Sequence, residues 1–231
     1  MTARPRVAVL DYGSGNVHSA VRAVEAAGAE AALTADPARI EAADGLLVPG
    51  VGAFAAVMEG LAAVDGPRII RERHAAGRPV LGICVGMQVL FSAGTEHGVR
   101  TPGIGLWDGE VGPLRAPVVP HMGWSRVQVP AGSRMFAGTA DAHFYFVHSY
   151  AAVQGPSTGL TTTAVHGDRF AAAVEDGTTW AAQFHPEKSS EAGARLLRNW
   201  IAELTRATGP AAAPAGPSLP NITAPESKDT A

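Results

Sequence analysis

The chain has 231 residues, of which 46% are hydrophobic and 17% charged, as in a globular protein that buries a sizeable core in one or two domains. Its formal net charge of −3 provides no basic surface, which argues against nucleic acid or an anionic membrane as a partner. Its one cysteine excludes an internal disulfide bond and is consistent with a reducing compartment.

The first residues of the chain do not have the pattern of a targeting segment. Only a few apolar residues precede Asp11, which is too short a run for a signal peptide. Further along, no apolar run approaches the length that crosses a membrane. We therefore expect a soluble, cytoplasmic protein.

Short apolar runs alternate with helical patterns in the first part of the chain. We predict strands at residues 7–10, 29–34, 46–48 and 78–81, and helices at 17–27, 38–43, 54–63 and 67–76. Asp36 and Pro37 provide the N-cap and the first residue of the short second helix. The alternation predicts a parallel sheet covered by helices on both faces, with ligands bound beyond the carboxyl ends of its strands.

After about Gly94 the pattern changes. Strand-like segments at 124–129, 143–152, 160–165, 170–174 and 180–184 indicate a meander or a mixed sheet. A last helix at 190–205 carries an apolar face, and residues 207–231 are predicted to form a disordered tail rich in Ala and Pro. The predicted fold is a single α/β domain over residues 1–206. It has a mostly parallel central sheet, flanking helices and a smaller antiparallel or mixed sheet.

The pentapeptide Gly82-Ile83-Cys84-Val85-Gly86 is the first indication of a catalytic site. It lies between the strand at 78–81 and a predicted helix start at 87–91. Its glycines permit a sharp turn that projects the cysteine at the carboxyl end of the strand. The nearby helix N-terminus would favour thiolate over thiol. A free cysteine is also commonly a buried small hydrophobe, so the pentapeptide alone leaves both interpretations open.

A second stretch, Gln183-Phe184-His185-Pro186-Glu187, contains the base that a thiol nucleophile needs. His185 follows a predicted strand, and in extended backbone Glu187 would point to the same side. The carboxylate could then orient the imidazole. A His-Pro-Glu run alone is also typical of a surface turn, and its pairing with Cys84 is what favours a site.

The order of these residues separates them from α/β-hydrolases, in which the acid precedes the histidine. Together the two stretches resemble the class I glutamine amidotransferases, over about residues 5–205. Within that family the chain is most similar to the glutaminase subunits of imidazole glycerol phosphate synthase. The resemblance is carried by residues 11–16, 49–54, 121–124, 145–150 and 183–190. One departure is Ser125, where asparagine is common.

The resemblance implies hydrolysis of the side-chain amide of L-glutamine through a glutamyl thioester. Cys84 would be the nucleophile, His185 the general base and acid, and Glu187 the orienting partner of His185. No cofactor and no metal are implied.

The same resemblance implies two further groups of residues. The oxyanion would be bound by the N–H of Val85 and by an N–H of the Gly50-Val51-Gly52 loop. The amino and carboxylate groups of glutamine would be held by Gln88, Glu96, His148, Ser149 and Tyr150.

A partner is expected because ammonia released into water is protonated and is then no longer a nucleophile. No second active site is evident in the chain. By resemblance, the partner is a cyclase subunit, a (β/α)8 barrel, which forms a heterodimer with the glutaminase and makes imidazole glycerol phosphate in histidine biosynthesis. Asn16, His121 and Trp124 would lie near the subunit contact.

Three alternatives remain open at this stage. The chain could be the glutaminase of another amidotransferase, such as those of anthranilate, aminodeoxychorismate or pyridoxal phosphate synthesis. It could also be a non-catalytic docking module that kept the fold, or a cysteine hydrolase acting on other amides or esters.

Other patterns carry weaker signals. His18 stands where a dinucleotide-binding fingerprint requires its third glycine, so nucleotide binding is disfavoured. The eight histidines form no recognisable metal-binding motif. Arg68, Arg71 and Arg73 are predicted to form a solvated helix face.

Overall fold

The computed structural model describes residues 4–13 and 17–207. Its first part alternates strands and helices, as the apolar pattern predicts. These elements are β1 (Arg6–Leu10), α1 (Val17–Ala26), β2 (Glu30–Thr34), α2 (Pro37–Ala42), β3 (Gly45–Gly50), α3 (Phe54–Ala63), α4 (Gly66–Ala75), β4 (Val80–Cys84) and α5 (Val85–Gln88). The Asp36 side chain accepts a hydrogen bond from the Ala38 N–H and caps α2, as predicted.

The second part consists mostly of strands. Its elements are β5 (Phe91–Glu96), β6 (Val99–Pro102), β7 (Trp107–Pro113), β8 (His121–Arg126), β9 (His143–His148), β10 (Tyr150–Ala152), β11 (Leu160–His166), β12 (Asp168–Asp176), β13 (Thr179–Ala182), a 3-10 turn (Pro186–Lys188) and α6 (Ser190–Ala207). Among the described residues, no helix is both long enough and apolar enough to span a membrane.

Two predictions concern segments outside the described residues. One is the partner contact of Asn16. The other is the tail: α6 extends to Ala207, one residue beyond the predicted domain boundary, and residues 208–231 are not described. The division into residues 1–206 and a tail stays a prediction.

The central sheet has seven strands in the order β11-β12-β13-β4-β3-β1-β2. The strands from β13 to β2 are parallel, and β12 and β11 extend the sheet antiparallel at one edge. The predicted α/β class with a mostly parallel central sheet is confirmed. β4 is the middle strand, so the residue at its carboxyl end, Cys84, has neighbouring strands on both sides.

Two smaller sheets complete the fold. One is a mixed sheet of order β10-β7-β5-β6, and the other pairs β8 with β9 antiparallel. The predicted meander is therefore only partly right, because β11, β12 and β13 belong to the central sheet. The four residues of β13 are all buried, which is typical of an interior strand of a parallel sheet.

The helix predicted to start at 87–91 is wrong beyond its first turn. α5 ends at Gln88, and Phe91 begins β5, where it pairs with Trp107 of β7. Val89, Leu90 and Phe91 are fully buried. A short apolar run of this kind fits a buried strand as well as a helix, and here the pairing with β7 decides between them.

α6 covers the core with the apolar face that the sequence predicts. Five of its large apolar side chains are buried, namely Leu196, Leu197, Trp200, Ile201 and Leu204. The predicted periodicity is thus confirmed for this helix.

The arginine cluster of α4 is not a solvated face throughout. Arg68 is half exposed and forms ion pairs with Asp65 and Glu72, as expected of a surface residue. Arg73, however, is 2% exposed. Burial, together with the charge of Arg78, lowers the pKa of Arg73 to about 10.

The Arg73 guanidinium connects separate parts of the chain. It donates hydrogen bonds to the carbonyls of Ile40, Ala43, Asp44 and Pro79. The residue therefore holds the end of α2 and the start of β3 against the segment that leads into β4.

Candidate active site

Cys84 lies in the turn between β4 and α5 and is 5% exposed. Its backbone has φ 56° and ψ −115°, a conformation that residues with side chains rarely adopt. A Cβ on Gly86 would lie 2.0 Å from the Val48 carbonyl oxygen, and one on Gly82 would lie 2.7 Å from the Gly86 carbonyl oxygen. The backbone segments are packed too closely for side chains at these positions, which accounts for the Gly-x-Cys-x-Gly pattern.

His185 and Glu187 form the contact that the sequence predicts. His185 Nδ1 lies 2.8 Å from Glu187 Oε1, and both side chains are almost completely buried. The predicted backbone conformation is wrong, because a 3-10 turn at Pro186–Lys188, and not an extended chain, brings the two side chains together. The His185 N–H donates to the Tyr145 carbonyl at 2.9 Å, and the Ser189 hydroxyl donates to the His185 carbonyl at 2.7 Å. The imidazole is therefore fixed through its backbone as well as its ring.

The electrostatics of His185 favour its protonated form. Burial of the imidazole opposes the charge, but Cys84 and the Glu187 carboxylate outweigh burial and raise the pKa of His185 to about 9. Within the described residues, His185 Nε2 has no hydrogen-bond partner. We therefore attribute the effect of Cys84 to proximity rather than to a well-aligned hydrogen bond. Because Nδ1 faces Glu187, Nε2 is the ring nitrogen left for the sulfur and for a substrate.

A cavity of about 260 Å³ lies over Cys84. It is lined by all five residues predicted to bind substrate, by Cys84 and His185, and by three of the four residues predicted to bind the oxyanion. Its lining consists of Val51, Gly52, Cys84, Val85, Gln88, Glu96, Val147, His148, Ser149, Tyr150, His185 and Lys188. A groove of about 340 Å³ beside the edge strand β2 is lined by neither cysteine nor histidine, so the chemistry favours the cavity over Cys84.

The loop predicted to bind the oxyanion lies directly beside Cys84. Gly50, the last residue of β3, pairs with Cys84 in the parallel register, and a Cβ on Gly50 would lie 2.2 Å from the Gly86 nitrogen. Gly52 has φ 91°, a conformation that favours glycine. The Tyr12 hydroxyl donates to the Pro49 carbonyl and so holds the start of this loop. The loop therefore lies beside Cys84 and lines the same cavity, and the role of its N–H groups as oxyanion donors stays a prediction.

Comparison with models of protein families shows which family the chain belongs to. The family described as glutamine amidotransferase class-I matches residues 8–204, which is most of the chain. The chain belongs to the class-I glutamine amidotransferase family.

Proteins of high sequence identity indicate which kind of amidotransferase the chain resembles. A protein of Leifsonia xyli subsp. xyli named imidazole glycerol phosphate synthase subunit HisH is 60% identical over 205 residues, which are 86% of this chain and 98% of that protein. HisH of Streptomyces avermitilis is 58% identical over 208 residues, with 86% and 97% of the two chains covered. HisH of Mycobacterium bovis is 59% identical over 204 residues, with 87% and 98% covered. The amidotransferase is thus of the HisH type.

Solved structures agree with the fold at much lower identity. One described as a glutamine amidotransferase has a TM-score of 0.66 and 19% identity, covering 87% of this chain and 98% of the other. PurLQS from Thermotoga maritima gives a TM-score of 0.67 and 20% identity, with 87% and 99% covered. At this level of identity the likeness concerns the fold alone.

In this amidotransferase, hydrogen bonds connect Cys84 to Gln88, which lines the same cavity. Gln88 Nε2 donates to the Tyr150 carbonyl and to Gln183 Oε1, both at 2.9 Å. Gln183 Nε2 in turn lies 3.7 Å from Cys84 Sγ. Both amide hydrogens of Gln88 are therefore occupied within the protein, and only its Oε1 is left to contact a ligand.

A second set of hydrogen bonds reaches the same carbonyl from the opposite side. His148 Nδ1 lies 3.0 Å from the Tyr150 oxygen, His121 Nδ1 lies 3.0 Å from His148 Nε2, and the Ser125 hydroxyl lies 2.8 Å from His121 Nε2. A carbonyl can only accept, so His148 carries its proton on Nδ1 and accepts at Nε2. His121 then carries its proton on Nδ1, and Ser125 donates to it. For neutral rings, these contacts place the proton of both histidines on Nδ1.

The pKa values of the two histidines agree with these tautomers. Burial, reinforced by His166, lowers the pKa of His121 to about 4. Burial also lowers the pKa of His148 to about 3, although the hydrogen bond to Tyr150 acts in the opposite direction. The rings remain neutral at physiological pH.

The residues predicted to lie at the subunit contact differ in exposure. Trp124 on β8 is 51% exposed, with its ring edge-on to Tyr145. His121, on the same strand, is buried against Phe146 and His166. The interface assignment of both residues stays a prediction, and the burial of His121 limits it to an indirect contribution.

Sequence reasoning missed three residues of the site. Val147 and Lys188 line the cavity, and Gln183 contacts the sulfur from the buried side. Lys188 adjoins Glu187 and Gln183 precedes His185 by two residues, so both lie within the motif already singled out. A search for polar residues flanking the histidine would have found them.

Proposed function

We propose that the chain is the glutaminase subunit of an imidazole glycerol phosphate synthase, which hydrolyses L-glutamine to glutamate and ammonia. The observation that carries the proposal is that Cys84 and His185 line one small cavity and that Glu187 contacts Nδ1 of the same imidazole. The identity of 60% with a HisH subunit supports the same function. It also disfavours the glutaminases of other amidotransferases.

The first half of the reaction forms a glutamyl thioester. With the imidazole of His185 protonated, Cys84 acts as a thiolate and attacks the side-chain carbonyl carbon of glutamine. The resulting oxyanion is bound by the N–H of Val85 and by an N–H of the Gly50–Gly52 loop. His185 Nε2 then gives its proton to the departing nitrogen, and ammonia leaves as the C–N bond breaks.

The second half of the reaction regenerates the enzyme. Neutral His185 takes a proton from water, which attacks the thioester carbonyl, and the C–S bond breaks to release glutamate. Cys84 is again a thiolate and His185 again an imidazolium. Throughout, Glu187 holds the Nδ1–H of His185 and stabilises the positive charge of the ring.

The cavity offers complementary groups for the amino-acid end of glutamine. We assign the α-ammonium to the Glu96 carboxylate and to Gln88 Oε1, both of which are acceptors at the cavity. The backbone around Ser149 and Tyr150 forms another side of the cavity and has polar groups for the carboxylate. The His148 ring takes no charge here, because it is neutral and donates to the Tyr150 carbonyl.

The ammonia is passed to a cyclase subunit, a (β/α)8 barrel, in a heterodimer. This step is supported by the names of the relatives, which are subunits of a synthase. It is also supported by large exposed apolar side chains on and before β8: Met122 is 63% exposed, Trp124 51% and Val118 68%. Exposed apolar groups of this size are typical of a protein interface.

The test is a glutamine-dependent synthase assay on the chain copurified with the cyclase subunit of the same organism. Wild type should release glutamate and form product with glutamine as the nitrogen donor. Cys84→Ala should abolish both activities. The control is the same variant complex supplied with ammonium salt, which should still form product because the cyclase site is unchanged.

Two outcomes would contradict the proposal. Equal glutamate release by wild type and Cys84→Ala would show that the cysteine is not the nucleophile. Turnover of generic amides or esters without a partner, and without preference for glutamine, would instead indicate a general cysteine hydrolase.

A further inference from the structure

Gln183 lies beside Cys84, and its neighbours fix the direction of its side-chain hydrogen bonds. The Tyr150 carbonyl can only accept, so the end of the Gln88 amide that faces it is Nε2. The second hydrogen of that nitrogen points to Gln183 and requires an acceptor there, which is Oε1. The other end of the Gln183 amide, Nε2, must then face Cys84 Sγ. The contact is therefore N–H to sulfur and cannot be reversed by turning the amide.

Gln183 is placed to act on the sulfur and not on a substrate. Its side chain is 1% exposed and is not part of the cavity lining. Its backbone N–H donates to the Ala172 carbonyl at 2.9 Å, which continues the pairing of β13 with β12 by one residue. Since β13 runs beside β4, this pairing fixes the amide next to the end of β4, where the sulfur lies.

An N–H donor stabilises a thiolate more than a thiol, because the hydrogen bond to a charged acceptor is the stronger one. The distance of 3.7 Å is within reach of an N–H···S hydrogen bond, and it should shorten when the sulfur becomes negative. His185 provides a positive charge from the cavity side, and Gln183 provides a donor from the protein interior. Each contributes to the ionised sulfur from a different direction.

We propose that Gln183 is a positioning residue that stabilises the Cys84 thiolate by donating its Nε2–H to the sulfur, with Gln88 and the Tyr150 carbonyl holding its amide in that orientation. The inference rests on the proposed role of Cys84 as a thiolate nucleophile. It concerns formation of the thiolate, which is measured without glutamine, so its failure is distinguishable from failure of the proposed function.

The experiment measures the rate of alkylation of the full chain by iodoacetamide as a function of pH. Because Cys84 is the one cysteine of the sequence, the reaction reports on this sulfur alone. Gln183→Met keeps a side chain of similar length but removes the donor. Loss of one hydrogen bond to a charged group should move the midpoint of the pH profile to higher pH by about one unit. The matched control is Gln128→Met at an exposed position, which should leave the midpoint unchanged.

A second measurement uses the wild-type sequence and does not depend on the variant folding. In a ¹⁵N-labelled chain, the side-chain amide resonances of Gln183 should shift with pH along the same midpoint as alkylation. The shift should be absent in Cys84→Ala. An unchanged alkylation midpoint in folded Gln183→Met would overturn the proposal, since a merely structural role would alter accessibility and not the midpoint. A Gln183 amide that does not respond to ionisation of Cys84 would overturn it as well.

Discussion

Lowering the pH should destabilise the fold through His148, and the size of the effect follows from its surroundings. The side chain is 7% exposed and hydrogen-bonded on both ring nitrogens, with a pKa lowered to about 3, mainly by burial. The neighbouring rings His121, His166 and His185 lower it further. In the unfolded chain a histidine has a pKa of about 6.5. Between these values the unfolded state binds a proton that the folded state does not bind.

The sign and magnitude follow from proton linkage. Because the pKa is lower in the folded state, the contribution of His148 to stability is complete above about pH 6.5 and is lost progressively as the pH falls towards 3. Between pH 6.5 and 5.0 the loss is about 1.5 kcal/mol. His121, whose pKa is also lowered, acts in the same direction. His185 acts in the opposite direction but changes by less than about 0.5 kcal/mol in this range, because it is protonated in both states at the lower pH.

The assay is urea denaturation at pH 6.5 and pH 5.0 for wild type and His148→Phe. Wild type should be less stable at pH 5.0 than at pH 6.5. In the variant, this decrease in the free energy of unfolding should be smaller than in wild type by at least about 1.5 kcal/mol. Any rise in the pKa of His121 after loss of its acceptor would reduce the difference further. The same substitution at His18, which is exposed on α1, should leave the wild-type difference in place. A pH dependence that His148→Phe does not change would refute the assignment of a neutral, buried imidazole at this position.

Three further predictions concern Arg73, which binds carbonyls at the end of α2, Glu187, which contacts His185, and the turn at Cys84. Arg73→Met should lower the free energy of unfolding by about 3 kcal/mol in urea denaturation, because buried carbonyls lose their donors, whereas Arg68→Met at the surface should change it by less than about 0.5 kcal/mol. Glu187→Gln should lower the pKa of His185, because the carboxylate that raises it is removed. The alkaline limb of the pH–rate profile for glutamine hydrolysis should then move to lower pH and the rate fall by about 10²- to 10⁴-fold, whereas an unmoved limb would refute this role. Gly86→Ala should abolish glutamine-dependent but not ammonium-dependent synthase activity, because its Cβ would lie 2.0 Å from the Val48 carbonyl oxygen; normal glutamine-dependent activity would refute the crowding at this turn.

The parts of the site that sequence predicts are those that short motifs encode. The crowded turn at Cys84 follows from flanking glycines, and the contact of His185 with Glu187 follows from their spacing of two residues. Even there, the 3-10 turn at Pro186–Lys188 was not foreseen, because two backbone conformations bring such a pair together. Local spacing determines that two side chains can meet, but it does not determine which conformation joins them.

Errors in the fold have a different origin. The apolar run at Val89–Phe91 resembles a helix start, and β13 resembles part of a separate meander or mixed sheet, because neither sequence shows which strand lies beside it. Pairing of Phe91 with Trp107 and of Trp180 with Leu81 decides both cases. These are contacts between distant parts of the chain, and hydrophobic periodicity contains no information about them. Burial of Arg73 was missed for the same reason, since its acceptors are backbone carbonyls supplied by α2 and the segment before β4.

The Tyr150 carbonyl shows why such contacts cannot be predicted from residue types. It accepts hydrogen bonds from Gln88 on one side and from His148 on the other. As a group that can only accept, it fixes the orientation of the Gln88 amide and, through it, the N–H that Gln183 presents to Cys84. On its other side it fixes the tautomer of His148 and, through it, that of His121. Any residue at position 150 would supply the same oxygen, so the orienting information resides in where β10 places its backbone and not in the side chain.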